Sequence, residues 1–174
     1  SSGNSTYKGI NQTYIRKVNF RFGEYLYLNK NKKLRKLKIF REITLNDGTV
    51  NNVVELRYNN VDNQIQFVIR DGGSVTVNSQ VVFSDILQYN KIAFQYKAND
   101  FKVFANGRLV ATDTAGTVPS GLNKLDFSWA GNNNFYGNAK MVAVFKEALT
   151  DLELECLTGY NNHELYMNYY NRLS

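Results

Sequence analysis

Residues 89–111 of the chain read YNKIAFQYKANDFKVFANGRLVA. Every second side chain from Ile92 to Tyr96 is bulky and apolar, and the residues between them are small or polar. Alternation of this kind places one set of side chains on a core and the other toward solvent, as in an antiparallel sheet. The pair Asn106 and Gly107 then predicts a tight hairpin, because both central residues of such a turn need positive φ. This stretch therefore predicts an antiparallel β fold.

The same alternation recurs in short segments along the rest of the chain. Leu125, Phe127 and Trp129, for example, share one face of a predicted strand. Further strands are predicted at residues 13–22, 36–44, 52–58, 64–70, 74–83, 100–105, 108–114 and 138–146. About ten short strands, separated by turns rich in Asn, Asp and Gly, are typical of an all-β antiparallel sandwich or barrel.

One short helix is predicted near the C-terminus. Thr150 and Glu153 have the spacing of a capping box, in which the Thr side chain caps the first turn of the helix. Leu149, Leu152 and Cys156 then fall on one helical face. We expect this face to be buried, with Cys156 acting as a small hydrophobic residue and not as a reactive thiol.

Length and composition indicate one domain with a hydrophobic core. The chain has 174 residues, of which 43% are hydrophobic, and this is enough for one domain but short for two. We predict a linker or tag-like segment at residues 1–12 and a single domain over residues 13–174. No stretch approaches the roughly 18–20 apolar residues of a membrane span. Cys156 is the only cysteine, so we expect the domain to fold without disulfides.

The net charge of +6 is concentrated in one basic run at residues 30–41. We interpret this run as a solvated loop and the outer face of a strand. Contact with an acidic polysaccharide or with lipid headgroups remains an alternative. No nucleic-acid-binding motif accompanies the charge, so a nucleic-acid partner is not predicted.

Residues of the common catalytic classes are scarce. His163 is the only histidine, lies in a polar C-terminal tail and is predicted at the surface. Zinc is not supported by one Cys and one His, and no phosphate-binding or dinucleotide motif is present. Asp151, Glu153 and Glu155 alternate like the acids on a glycosidase strand, but residues two apart on a helix do not face each other. The sequence therefore predicts a protein that is not an enzyme.

A candidate ligand site begins at the only tryptophan, Trp129, where the sequence to residue 137 reads WAGNNNFYG. Proteins hold sugars by stacking an aromatic ring on the apolar face of the sugar, while amides bond its hydroxyl groups. The predicted glycan-binding residues are Trp129, Asn132, Asn133, Asn134 and Tyr136. Alternatively, Trp129 continues the core face of its strand and the Asn run is only a turn.

Calcium is the metal that the sequence favours. Loops that carry Asp and Asn side chains and backbone carbonyls suit this hard cation, and Asp113, Asp126 and the loop at 132–134 are the candidates. Asn and Asp are also ordinary turn residues. Calcium is therefore a possible cofactor, and no other is predicted.

Two stretches resemble the concanavalin A-like, laminin-G-like jelly rolls of bacterial and phage surface proteins. Residues 89–111 are similar to the aromatic-led strand and hairpin of that family, and residues 137–157 to its final core strand and short helix. The segments 118–122 and 135–137 look like versions at the C-termini of phage tail-fibre and spike proteins. The acidic and basic pair of many members is missing from residues 139–143, so a calcium site that depends on it is not implied.

The resemblance implies a non-catalytic carbohydrate-binding module on a virion or a bacterial cell surface, where it recognises a host-surface polysaccharide or another glycan. One alternative is an assembly domain that binds other virion subunits or its own copies through the C-terminal tyrosines at 160–170. A second alternative is a polysaccharide-degrading enzyme. That activity would need a carboxylate pair on one sheet face, about 5–9 Å apart.

Overall fold

The computed structural model describes residues 12–20, 26–28, 34–36, 41–58, 61–129, 134–135, 137–145 and 147–159. The strands are β1 (Gln12–Phe20), β2 (Leu26–Leu28), β3 (Leu34–Lys36), β4 (Arg41–Asn46), β5 (Val53–Tyr58), β6 (Gln64–Asp71), β7 (Ser74–Val82), β8 (Asn90–Lys97), β9 (Asp100–Ala105), β10 (Arg108–Asp113), β11 (Lys124–Asp126) and β12 (Gly137–Phe145). The helix is α1 (Asp151–Thr158). No helix among these residues is long and apolar enough to cross a membrane.

The strands form two five-stranded antiparallel sheets and a separate hairpin. The first sheet has the order β10-β9-β8-β1-β12, the second has the order β11-β4-β5-β6-β7, and among the described strands β2 pairs with β3 alone. The predicted all-β antiparallel sandwich with one short helix is therefore confirmed. The predicted linker at 1–12 lies almost wholly outside the described residues.

The hydrophobic core lies between the two sheets. Ile92, Phe94 and Tyr96 are buried in it, as their alternation predicts. The Phe94 ring meets Phe67 of the second sheet edge-on, with 5.4 Å between the ring centroids. A cavity of about 20 Å³ remains between the sheets, which is room for one water molecule and not for a sugar.

The hairpin between β9 and β10 turns at Asn106 and Gly107, whose φ angles of 52° and 87° are both positive. This confirms the turn predicted from the sequence. The same turn anchors the end of α1, because the Gly107 N–H donates to Thr158 Oγ1 at 3.1 Å. Lys91 Nζ also anchors the C-terminal end of α1, because it donates to the carbonyl oxygen of Gly159 at 2.9 Å.

Helix α1 covers the outer face of the first sheet. Leu154 and Leu157 pack against Ala93 and Phe104 of that sheet. The predicted cap is confirmed at the N-terminus, where the Glu153 N–H donates to Thr150 Oγ1 at 3.2 Å.

The predicted buried face of α1 is correct for Cys156 and wrong for Leu152. Cys156 is buried, and burial together with the neighbouring charge of Glu155 raises the pKa of its thiol. Leu152 is 53% exposed, because the helix turns Leu154 and Leu157 toward the sheet instead. These two residues are also three apart, so the apolar spacing alone did not decide between the faces.

The strand predictions need correction at two places. The short strands β2 and β3 were not predicted. The predicted strand at 36–44 coincides with β4 from Arg41 onward, and residues 37–40 lie outside the described residues. Strand β11 ends at Asp126 and does not continue to Trp129. The last difference decides where the tryptophan lies.

Gly116 offers a test of packing at the edge of the core. A Cβ atom on Gly116 would lie 2.7 Å from Val77 Cγ2 and 3.0 Å from Phe101 Cε2, and its φ is 152°. We expect Gly116→Ala to lower the free energy of unfolding by about 2–3 kcal/mol, because both neighbours are buried and must shift. Gly72→Ala is the control: its φ is also positive but no atom lies within 4 Å, so a loss of about 1 kcal/mol is expected. If urea unfolding shows that both variants lose the same free energy of unfolding, the close packing around Gly116 is contradicted.

Candidate functional site

The outer face of the second sheet carries polar and charged side chains. Strand alternation puts Ile43 and Leu45 in the core, so the residues between and beside them point outward. The same alternation applies to β5 and β6. We define the charged face by five outward side chains on these three strands: Glu42, Glu55, Arg57, Gln66 and Arg70.

Two arginines hold the charged face together by ion pairs. Arg57 Nη1 lies 3.4 Å from Glu55 Oε2 and 3.9 Å from Glu42 Oε1. Arg70 Nε lies 3.5 Å from Glu55 Oε1. Arg57 Nε also donates to Gln66 Oε1 at 3.0 Å. The strand register explains these contacts, because Arg57 stands opposite Glu42 on one side and opposite Gln66 on the other.

The two carboxylic acids are buried although they lie on an outer face. The side chains of Glu42 and Glu55 have 0% exposure, and none of their four oxygens has a hydrogen-bond partner among the described residues. Burial raises the pKa of Glu42 to about 8; the charge of Glu55 raises it as well, while Arg57 and Arg70 oppose the rise. Burial also raises the pKa of Glu55, against the same two arginines.

The protonation of Glu42 sets the charge of this face. At neutral pH Glu42 is mostly uncharged, since its pKa is about 8. Two guanidinium groups then face at most one ionised carboxylate, because arginine stays protonated. Among the four described ionisable side chains of this face, positive charge therefore exceeds negative charge at neutral pH.

Trp129 lies on the charged face and not in the core. After β11 ends, the chain crosses the outer face of the second sheet, where Thr44 Oγ1 donates to the carbonyl oxygen of Ser128 at 2.7 Å. The Trp129 ring then lies under the Arg70 guanidinium, with Cζ 5.3 Å from the ring centroid. This distance is that of a cation–π contact. The alternative that Trp129 continues the core face of its strand is wrong.

The rest of the predicted glycan site is described only in part. Phe127, expected on the same strand face as Leu125, is 46% exposed and contacts the Phe135 ring, with 5.8 Å between the centroids. The Phe135 N–H donates to the Phe127 carbonyl oxygen at 2.8 Å. Asn134 is exposed. Asn132, Asn133 and Tyr136 lie outside the described residues, so their role stays a prediction.

The two calcium candidates lie on different sheets. Asp113 ends β10 of the first sheet, and its Oδ1 accepts from the Ala115 N–H at 3.0 Å. Asp126 ends β11 of the second sheet, and its Oδ2 accepts from Asn46 Nδ2 at 2.8 Å. In the part of the chain that is described, no three His, Cys, Asp or Glu side chains cluster as metal ligands would. Calcium therefore remains a prediction from the sequence.

The other predicted sites are placed as follows. Asp151 and Glu155 are exposed on α1, and Asp151 Oδ1 accepts from Lys102 Nζ at 2.9 Å, in agreement with their interpretation as helix charges. His163 and the C-terminal tyrosines lie outside the described residues, as do the side chains of the basic run at 30–41.

The charged face was not identified from the sequence. Its only signal is that charged residues occupy the outward positions of predicted strands, as in Glu55 and Arg57. Outward charges are the rule on a solvated sheet. Their mutual contact depends on the pairing of β4 with β5 and of β5 with β6, which the alternation does not specify.

Residues 27–155 match the model of a family described as the concanavalin A-like lectin/glucanases superfamily. The chain belongs to this family. No curated protein sequence matches this concanavalin A-like domain.

Solved structures with the same jelly-roll architecture are distant in sequence. The CBM40 domain of the Ruminococcus gnavus IT-sialidase is 17% identical with a TM-score of 0.62, and the match covers 89% of this chain and 86% of that one. The leech intramolecular trans-sialidase is 18% identical with a TM-score of 0.59, over 90% of this chain and 24% of that one. A Limulus polyphemus SAP-like pentraxin is 12% identical with a TM-score of 0.57, and the match covers 88% of this chain and 72% of that one. At such identities the similarity shows the fold.

Proposed function

We propose that this concanavalin A-like domain is a non-catalytic module that binds a carbohydrate, and that the charged face with Trp129 is its binding surface. The observation that carries the proposal is the position of Trp129. A partly exposed indole ring lies beside Arg70 on a polar face, which combines an apolar platform with groups that bond hydroxyls. The CBM40 domain with the same fold has been solved bound to α2,3-sialyllactose, which supports a saccharide ligand.

Amide side chains extend the surface toward the edge of the second sheet. Gln64 on β6 is half-buried and Gln80 on β7 is exposed, and Gln64 Nε2 donates to Gln80 Oε1 at 3.4 Å. Gln66 is buried and accepts from Arg57, so it is not part of this extension. Each amide offers both donors and acceptors, which suits the hydroxyl groups of a sugar. The surface thus offers aromatic, charged and amide groups on neighbouring strands.

A glycan array, probed with the purified chain in calcium and again with a chelator, tests the proposal. We expect specific binding that Trp129→Ala weakens at least about tenfold, because a central aromatic contact usually dominates such an interface. Leu152→Ala is the control, since Leu152 is exposed on α1 over the other sheet. Binding lost with the chelator would add calcium as a cofactor. No binding in either condition by folded protein would contradict the carbohydrate function.

A hydrolase is the second candidate function, because the structure places two carboxylates on one sheet face. Glu42 and Glu55 both approach Arg57 Nη1, and the raised pKa of Glu42 would suit a general acid. Their 0% exposure argues against contact with a substrate. Release of reducing sugar from a bound glycan, lost in Glu42→Gln, would favour the hydrolase over the binding module.

We further propose that the domain acts in host-surface recognition, on a phage fibre or spike or on a bacterial cell surface. The support is the resemblance of residues 118–122 and 135–137 to the C-termini of phage fibre proteins. An assembly role, with binding to other virion subunits or to its own copies, is the alternative. Binding to intact bacteria that removal of surface polysaccharide abolishes would support recognition. A stable oligomer without glycan binding would favour assembly.

A further inference from the structure

Strand β7 is the last strand of the second sheet. Among the described strands it pairs with β6 on one side and with none on the other, and we call that second side the free edge. Every second residue of an edge strand directs its N–H and C=O groups away from the sheet, where another strand can bind them. At its first end, Thr76 Oγ1 donates to the Thr117 carbonyl oxygen at 2.8 Å. Farther along, Asn78, Gln80 and Val82 are exposed.

The free edge lacks the features that usually keep an edge strand from pairing. Edge strands are commonly short, or they carry charged residues or proline. Of the other described sheet edges, β11 has three residues, β10 carries Arg108 and Asp113, and β12 carries Lys140. Strand β7 has nine residues and contains neither a charged residue nor a proline. Its pairing with β6 is irregular only near Thr76, so Val77–Val82 is a regular strand with an unprotected edge.

The side chains of β7 follow the same order from either end. On the outward face the order is valine, amide, amide, valine, at Val75, Asn78, Gln80 and Val82. On the core face the order is valine, serine, valine, at Val77, Ser79 and Val81. The irregular pairing skips Thr76 and brings Val75 into the outward row, opposite Arg70. A surface with the same order in both directions is complementary to a second copy of itself under a two-fold rotation.

We propose that the free edge of β7 pairs antiparallel with β7 of a second copy of this chain, about a two-fold axis at Ser79. This register sets Asn78 opposite Gln80 of the second copy, so that amide meets amide. It also sets Val77 opposite Val81 of the second copy, on the core face of both. A register shifted by one residue would set core residues against outward ones. Within the paired strands no charged groups are brought together.

Exposed valines at both ends of the free edge favour a second copy as the partner. Val82 is 72% exposed and Val75 is 49% exposed, and the two-fold register sets each beside the other in the second copy. Pairing therefore removes apolar surface of both copies from water. Strand β10 lies against β7 and carries the exposed residues Leu109 and Val110, which add apolar surface at the same edge of the sandwich.

The pairing places the charged faces of the two copies on the same side. The two-fold axis is perpendicular to the sheet, and the two second sheets become one sheet of ten strands. A polymer with repeated binding units then meets two faces at once, which strengthens its binding without any new contact to the individual unit. The pairing itself does not rest on the proposed carbohydrate function.

Sedimentation velocity of the purified chain, from micromolar to millimolar concentration, tests the pairing. We expect a monomer that converts to a dimer as the concentration rises. Val82→Lys and Val75→Glu are each expected to weaken the dimer at least about tenfold, because a charge on an edge strand opposes pairing. Both side chains are exposed, so the fold is retained. Met141→Lys is the control, since Met141 is 44% exposed on β12, an edge strand of the other sheet.

The double variant Val75→Glu with Val82→Lys tests the two-fold register. The two positions are seven residues apart in the sequence, roughly 20 Å along a strand, so the new charges do not meet within one chain. In the proposed dimer the new ammonium group of each copy lies beside the new carboxylate of the other. We therefore expect the double variant to dimerise at least about tenfold more tightly than either single variant.

Hydrogen exchange gives a readout that does not depend on any substitution. Amide exchange in residues 77–82 of the wild-type chain is expected to slow as the concentration rises, because the outward N–H groups become hydrogen-bonded in the dimer. Exchange in β5, which lies inside the sheet with partners on both sides, is the internal control and should not change with concentration.

A chain that stays monomeric over the whole concentration range would overturn the pairing. A dimer that both single variants leave intact would mean that another surface forms it, and the assignment to β7 would be wrong. If the single variants weaken the dimer and the double variant does not recover it, the two-fold register at Ser79 is refuted. None of these measurements contains a glycan, so their failure leaves the carbohydrate function to the glycan array.

Discussion

At pH 8 the Glu42→Gln variant is expected to be more stable than the wild-type chain, by on the order of 2–4 kcal/mol in the free energy of unfolding. Glu42 has a pKa of about 8 in the folded state, against 4.5 for an ordinary glutamate. Its protonated form therefore contributes stability that is fully present below pH 4.5 and is lost as the pH rises through about 8. The Gln side chain has a similar shape and stays neutral, so the variant does not lose this stability.

Urea unfolding at several pH values measures this difference. The two chains are expected to have equal stability near pH 4.5 and to diverge as the pH increases toward 8. Glu155→Gln is the matched control, because Glu155 is exposed on α1, and it should change the stability by no more than about 0.5 kcal/mol at any pH. A difference between Glu42→Gln and wild type that does not vary with pH would contradict the burial of a titrating acid.

Arg57→Met is expected to have the opposite effect, a loss of about 3–5 kcal/mol at pH 8. Removing the guanidinium takes from Glu42 and Glu55 one of the two positive charges that oppose their burial, and the Gln66 amide loses its donor. Since both acids take up protons as the pH falls, the loss is expected to be smaller near pH 5. Methionine keeps most of the length of the side chain, which separates the charge from the packing.

The control for this variant is Arg108→Met on β10, where Arg108 is exposed and a change within about 0.5 kcal/mol is expected. Equal losses for Arg57→Met at pH 5 and pH 8 would mean that Arg57 acts by packing alone. A variant as stable as wild type at both pH values would contradict the ion pairs themselves.

Local patterns in the sequence were sufficient to predict the fold. The alternation at Ile92, Phe94 and Tyr96 identified a core strand, and the Asn106–Gly107 turn joined two strands, because both signals depend only on neighbouring residues. The predictions were wrong where two local patterns competed. On α1, Leu152 and Leu154 are both apolar, and packing against Ala93 and Phe104 selected Leu154.

The candidate site was predicted less well, because it depends on distant parts of the chain. Trp129 was predicted as a binding residue, but its contact with Arg70 arises only because β11 ends at Asp126 and the chain crosses the sheet. The contacts of Glu42, Glu55 and Arg57 arise from the register of paired strands. Neither the end of a short edge strand nor a register between strands is encoded in local alternation.

The order of strands in the first sheet has a consequence for the rate of folding. Strand β1 lies between β8 and β12, and its Ile15 stands opposite Val142, which is 127 residues further along the chain. The nascent chain cannot complete this sheet until its last strand has left the ribosome, whereas β4 to β7 pair with their neighbours in sequence. Closing so long a loop slows the search for native contacts. We therefore expect β4 to β7 to assemble early and β1 to dock last, with the first sheet setting a refolding time of milliseconds to seconds.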